Sequence, residues 1–196
     1  VILFGSAGRL DWLQAWLLLS VYGVCFIITS LILFLKAPDL MDARREKHEN
    51  VKKWDKPLVL AYQAMYFPMF IVSGLDRRWN WSKVALGVSI VALILIVAFF
   101  VIATWSPLVN SHLETYVRIQ TDRDHQVVDA GPYSMVRHPT YIGLALFFIA
   151  IPLSLGSLVG LIPSGIGVTL LAVRTHMEDK TLRAELDGYQ AYAERV

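Results

Sequence analysis

The chain has one cysteine, few charges and no glycine-rich nucleotide loop. Cys25 stands alone in 196 residues, so no intrachain disulfide can form and the redox compartment is not written in the sequence. A zinc site built on several cysteines is excluded for the same reason. Within its apolar run, Cys25 reads as a small lipid- or helix-facing side chain. Charged residues make up only 17%, against about a quarter in soluble domains. The net charge of +2, with no basic run interleaved with aromatics, gives no footprint for nucleic acid. No Gly-x-Gly-x-x-Gly occurs, so a Rossmann-type nucleotide site has no support. No internal repeat suggests a repeat-built transporter. The first apolar run is too long for a signal peptide, and no small-residue cleavage site follows it.

What the chain has in excess is apolar surface, 56% of residues and a mean hydropathy of +0.51. Residues 12–35 carry no charge. As a helix they would reach about 36 Å, enough for a hydrocarbon core of about 30 Å, with Trp12 and Trp16 in an interfacial aromatic belt. Residues 36–56 mix Lys36, Arg44, Arg45, Lys47, Lys52, Lys53 and Lys56 with Asp39, Asp42, Glu46, Glu49 and Asp55, a solvated surface helix or loop. A second span is expected over 58–75, kinked near Pro68, and a third over 84–105, ended by Pro107. Residues 106–140 form a polar loop. Two short apolar stretches follow, 141–155 and 158–173, joined without charge through Gly156 and Ser157. They suit a helical hairpin, in which Gly165 and Gly167 permit close packing. Leu182, Leu186 and Tyr189 then fall at i, i+4 and i+7, which continues the last helix outward.

The expected architecture is an all-α integral membrane protein with about five transmembrane helices, the last two a short hairpin, and a cytoplasmic C-terminal helix. Residues 1–105 would hold three spans and the polar cytoplasmic loop at 36–56, and residues 106–196 the catalytic region. The loops at 36–56 and 106–140 and the tail would share one side, with seven, three and four Lys/Arg. The other side has Arg9, Arg77, Arg78 and Lys83, so the positive-inside rule puts the N-terminus outside and the C-terminus in the cytoplasm. That membrane would be the cell membrane of a prokaryote or the endoplasmic reticulum of a eukaryote. Oligomeric state is not legible.

Two constellations could carry chemistry. The first is residues 125–143, with a Gly131-Pro132 turn and then Arg137, His138, Pro139 and Tyr141 before an apolar helix. Pro139 suits the first helical turn, and His138 the N-cap, where exposed N–H groups and the helix dipole favour an anionic ligand group. His138 and Tyr141 share a helix face. The second is Arg174, Glu178 and Asp179, where spacing alone also allows a plain surface ion pair or a snorkelling arginine. His125 and His138 taken singly could equally cap or pack. Neither fits a metal pattern, and His112, Glu114, Asp122 and Asp124 read as solvated loop.

Taken together, the run Gly131-Pro132-Tyr133 … Arg137-His138-Pro139-Thr140-Tyr141-Ile142-Gly143 and the later Glu178-Asp179 resemble the Arg-His-Pro-x-Tyr … Glu-Glu signature of the isoprenylcysteine carboxyl methyltransferases, relatives of the phospholipid methyltransferases. Leu182 … Leu186 … Tyr189-Gln190-Ala191-Tyr192 is similar to that family's closing segment. The resemblance covers about residues 118–192. The first three helices add a compatible topology but no signature. Asp179 departs from the second Glu, and Leu186-Asp187 replaces Phe-Gly.

The resemblance implies S-adenosylmethionine as cofactor and S-adenosylhomocysteine as product. His125, Gln126, Val127, Val128, Tyr133, His138, Pro139, Thr140 and Tyr141 would line its pocket, with Glu178 on a polar group of the cofactor. Arg174 corresponds to the substrate-side arginine and would fix a carboxylate in a bidentate pair. The implied reaction is methyl esterification of an isoprenylcysteine-like, lipidated substrate, whose tail would enter between the kinked second span and the hairpin. N-methylation of a phospholipid head group or another lipophilic amine is the alternative. A membrane reductase or a non-enzymatic scaffold fits less well. The expected partners are thus a lipophilic substrate and the bilayer, without nucleic acid or metal.

Overall fold

The computed structural model describes residues 1–45 and 50–196, and every regular element in them is helical. Residues 46–49, part of the polar stretch read as surface helix or loop, lie outside the described residues. The helices are α1 (Ile2–Ala7), α2 (Leu13–Lys36), α3 (Pro38–Ala43), α4 (Asp55–Ala64), α5 (Tyr66–Trp79), α6 (Leu86–Val109), α7 (Pro139–Ser154), α8 (Leu161–Glu185) and α9 (Tyr189–Arg195).

Three helical runs are long and apolar enough to cross a bilayer: α2, α4 with α5, and α6. α7 is a shorter apolar helix. Their outward faces are not polar. Phe26, Ile27, Leu31 and Phe34 of α2 and Ile90, Val91, Ile94 and Val101 of α6 are all exposed. An apolar surface this continuous on a folded chain needs lipid to cover it, and the protein is an integral membrane protein.

Side-chain contacts fix the directions. Tyr22 meets Phe100 and Thr29 bonds Thr104, so α2 and α6 run parallel. Ser89 bonds the Leu153 carbonyl while Gly143 faces Ile102, so α7 returns beside α6. Ser164 bonds the Phe148 carbonyl and Tyr141 bonds Glu178, so α7 and α8 form an antiparallel hairpin. Asp55 meets Arg174 at one end of α8, and Ser73 approaches Gly160 at the other. The segments at 36–45, 50–56, 110–138 and 174–196 therefore gather at one end of the bundle. Lys52–Glu185 and the bond from Arg44 to the Leu113 carbonyl stitch them together. The opposite end is tied by Asp76, buried, which accepts from Ser82 and Ser157.

Several expectations shift in detail. The second span breaks at Met65 rather than at Pro68. Proline lacks the N–H that would bond the Ala64 carbonyl, so the interruption falls one turn upstream. Pro107 does not end the third span. It sits in the last turn of α6, where its missing N–H removes a single bond, and the helix runs to Val109. Trp12 is fully buried and only Trp16 is exposed, so the belt is half what the sequence suggests. The polar stretch is not uniformly solvated, since Leu40, Ala43 and Asp55 are buried.

The tail is not one helix. α8 stops at Glu185, Leu186 is extended, and Gly188 has φ +80° before α9 starts. Only glycine holds that backbone easily. Leu186, Tyr189 and Tyr192 still form one buried cluster with the half-buried Leu182 packed against it, so the apolar spacing reported the packing and not the helix.

Of the two hairpin glycines, only Gly167 is a packing contact. A Cβ there would lie 2.6 Å from the Phe148 ring, whereas Gly165 faces open space. Phe148 is wholly buried and cannot swing away. Gly167→Val is expected to destabilise the protein by about 1–3 kcal/mol through overpacking, and Gly165→Val by much less. Melting temperatures in detergent, compared for the two variants, check this.

Candidate active site

α7 opens as its sequence requires. Pro139 occupies the first helical turn and His138 the N-cap, whose carbonyl accepts from the Tyr141 and Ile142 amides. The His138 and Tyr141 rings stack with centroids 5.5 Å apart. Just upstream, residues 131–134 make a 3-10 turn that buries Tyr133, and the Tyr192 hydroxyl donates to the Tyr133 carbonyl at 2.7 Å. α9 is thereby pinned beside the start of α7.

Against this turn lies a cavity of about 260 Å³, close to the roughly 300 Å³ at which small-molecule pockets begin. Its wall includes His125, Gln126, Val127, Val128, Tyr133, His138, Pro139, Thr140, Tyr141, Arg174 and Glu178, so the structure gathers every site residue singled out in the sequence. Glu178 accepts a hydrogen bond from the Tyr141 hydroxyl across the hairpin. Gln126 is at the exposed rim and bonds Asp124. Tyr62, Tyr116, Tyr189 and Tyr192 join Tyr133 and Tyr141, so six tyrosines face one space. Aromatic faces and a carboxylate suit a ligand carrying positive charge.

The two neighbouring acids separate. Glu178 faces the cavity, while Asp179 faces the tail and accepts from Arg183 at 2.8 Å and from the Tyr189 hydroxyl at 2.9 Å. Asp179 also stands 3.5 Å from Arg137 and from His138. No ion pair joins Arg174 to Glu178 among the described residues.

Arg174 is engaged elsewhere. Its Nε donates to Asp55 at 2.7 Å and its Nη2 to Asp55 at 3.2 Å and to the Thr115 carbonyl at 2.8 Å. The edge expected to clamp a substrate carboxylate at two points is therefore already closed by a carboxylate of the protein. Asp55 carries no motif, and sequence reasoning missed it as one charge in a mixed run. Among the loop acids read as solvated, Asp122 and Asp124 are exposed, but Glu114 is not: its side chain is 5% exposed and pairs with the buried Arg118, which also bonds Asp122. The i, i+4 spacing of Glu114 and Arg118 is the local signal that could have found the pair.

The expected lipid entrance is closed as well. Tyr66 stacks on Phe148 at 4.7 Å and Tyr62 meets the same ring edge-on, filling the gap between α4–α5 and the hairpin. A groove of about 520 Å³ opens instead between α7 and α8, walled by Ile142, Ala145, Val168, Leu171 and Ala172. Arg137, His138 and Tyr141 line both spaces.

His125 lies half-buried with its ring 4.7 Å from that of His112, and its Nδ1 accepts from the Gln120 amide at 3.4 Å. Burial first, and the His112 neighbour second, lower its pKa from the ordinary 6.5 to about 4. The unfolded chain then binds more protons than the folded one between those values, so stability rises with pH across the window and is lost on acidification from about 6.5 to 4. His125→Gln is expected to flatten this limb, as read by thermal melts at a series of pH values.

No curated protein matches the sequence. Residues 88–186, half of the chain, do match a known family. That match begins inside α6, earlier than the signature block, and ends at Leu186. The chain belongs to the phospholipid methyltransferase family, which holds the isoprenylcysteine carboxyl methyltransferase-like membrane methyltransferases.

Proposed function

We infer that the protein transfers a methyl group from S-adenosylmethionine to a lipophilic acceptor at the membrane surface. The observation that carries this reading is the bond between Tyr141 and Glu178. It joins the two halves of the signature across the hairpin, at the wall of a cavity rich in tyrosine. The cofactor fits the groups present. Thr140 Oγ1 and the Tyr133 hydroxyl are buried near one another and Asn110 but in no aligned hydrogen bond among the described residues. Buried polar groups of that kind suit a polar ligand. When bound, the cofactor supplies an electrophilic methyl on a sulfonium. Glu178 holds a polar group of the ligand, the tyrosine faces accept its positive charge, and α9 shuts out water.

The acceptor proposed is the carboxylate of an isoprenylcysteine-like molecule. There the S–CH₃ bond breaks as an O–CH₃ bond forms, the two opposite charges cancel and no proton moves. The chain need only orient and desolvate the partners. A tail lying in the α7–α8 groove would bring its head group beside His138 and Tyr141. One observation favours a second acceptor, the amine of a phospholipid head group: Asp55 already takes the Nε–Nη2 edge of Arg174. α7 and α8 would complete five crossings, and the positive-inside rule would put the cavity on the cytoplasmic side, since fourteen of the 18 Lys and Arg belong to the sequence segments read as cytoplasmic.

The test is transfer of labelled methyl groups to a farnesylated cysteine and to phosphatidylethanolamine in liposomes. Label released by mild alkali is an ester; label that survives is on nitrogen. No transfer to either acceptor, and no binding of S-adenosylhomocysteine, would remove the methyltransferase reading.

A further inference from the structure

Among the described residues Asp55 is the most deeply shielded acid of the chain's polar end, with no solvent exposure at all. It belongs to no motif and lies 119 residues from Arg174. Its carboxylate accepts from Arg174 Nε at 2.7 Å, from Arg174 Nη2 at 3.2 Å and from the Val117 amide at 2.8 Å. Arg174 gives its other Nη2 hydrogen to the Thr115 carbonyl. The guanidinium also lies 5.2 Å from the Tyr141 ring and 5.9 Å from the Tyr62 ring. Its plane is thus fixed from several sides. Among the described residues only Nη1 has no hydrogen bond, and Arg174 lines the cavity beside Glu178.

A buried ion pair is a poor device for stability alone. Desolvating both charges offsets most of their attraction, and apolar residues of similar volume often serve as well. What such a pair does provide is orientation. We propose that Asp55 is a positioning residue: it fixes Arg174 so that Nη1 serves as a single directed donor to an oxygen of the methyl acceptor, and it cancels the arginine's charge. The assignment rests on the methyltransferase reading above. The oxygen could belong to a carboxylate or to a head-group phosphate, since both accept one charge-assisted N–H bond.

The experiment uses the full chain in liposomes, with Asp55→Asn and the double replacement Asp55→Leu/Arg174→Met. Binding of S-adenosylhomocysteine is read by calorimetry, and KM and kcat are read for the farnesylated cysteine and for phosphatidylethanolamine. Asp55→Asn is expected to bind S-adenosylhomocysteine as the wild type does and to raise the acceptor KM about tenfold or more, the loss of one directed charged bond. The substrate that shows the rise identifies the oxygen. Should Asp55→Asn fail to fold, the uncharged pair decides: folded, able to bind S-adenosylhomocysteine and defective toward the acceptor, it supports the assignment. A folded Leu/Met pair with a wild-type acceptor KM overturns it, because the ion pair would then be structural only. A wild type that binds no S-adenosylhomocysteine overturns the methyltransferase reading and this assignment with it.

Discussion

Glu178→Gln is expected to weaken S-adenosylhomocysteine binding about 10- to 100-fold, which corresponds to roughly 1.5–3 kcal/mol for one hydrogen bond to a charged group. Of the two signature acids Glu178 is the one that lines the cavity, and its one described hydrogen bond is from the Tyr141 hydroxyl. The amide keeps an oxygen for Tyr141 to donate to, so the α7–α8 contact survives and the melting temperature should hardly change. The neighbouring Asp179 provides the control. It is committed to Arg183 and Tyr189, at the tail and the outer groove. Asp179→Asn should cost tail packing first and ligand affinity second. Calorimetry on both variants checks the order. Equal losses would mean that the two acids act together, and no loss in Glu178→Gln would place the ligand elsewhere.

The contrast between those acids shows how far the sequence could be read. Apolar runs without charge located α2, α6 and the hairpin, because a membrane helix must satisfy its own backbone and face lipid. The Arg137–Tyr141 block located the mouth of the cavity, because Pro139 and His138 have strong positional meaning at a helix start. Three features escaped. Asp55 looked like its charged neighbours, since burial of one acid in a mixed run leaves no periodic trace. The break at Leu186–Gly188 was hidden by apolar residues at helical spacing, which continue through a change of backbone so long as the same face stays buried. And α1 was too short to announce itself, although Ser6 and Leu3 close on Gly74 of α5. In each case the deciding contact joins residues far apart in sequence, which no local pattern encodes.

Removing residues 187–196 is expected to abolish S-adenosylhomocysteine binding while leaving the membrane helices folded. α9 has seven residues, far fewer than an isolated helix needs, so it exists only through its contacts. Those include the Leu186–Tyr189–Tyr192 cluster against Leu182, Ile119 and Val127, the Tyr189 bonds to Asp179 and His138, the Tyr192 bond to the Tyr133 carbonyl, and bonds from Arg183 to Gln190 and from Arg137 to the Ala193 carbonyl. The Arg195–Asp129 pair is exposed and adds at most about 1 kcal/mol. None of these reaches the main core of α2, α6 and the hairpin. Truncation should therefore lower the main melting transition little. Yet Tyr189 and Tyr192 are part of the cavity wall, and without them that side would open to water. Water there weakens each polar contact that Glu178 and the neighbouring tyrosines make with a ligand. Tyr189→Phe, which loses the hydroxyl's bonds to Asp179 and His138 but keeps the ring, should fall between truncated and wild-type affinity. A truncated chain that binds as tightly as the whole would mean that the tail is a passenger and that the loop at 110–138 and α8 hold the ligand unaided.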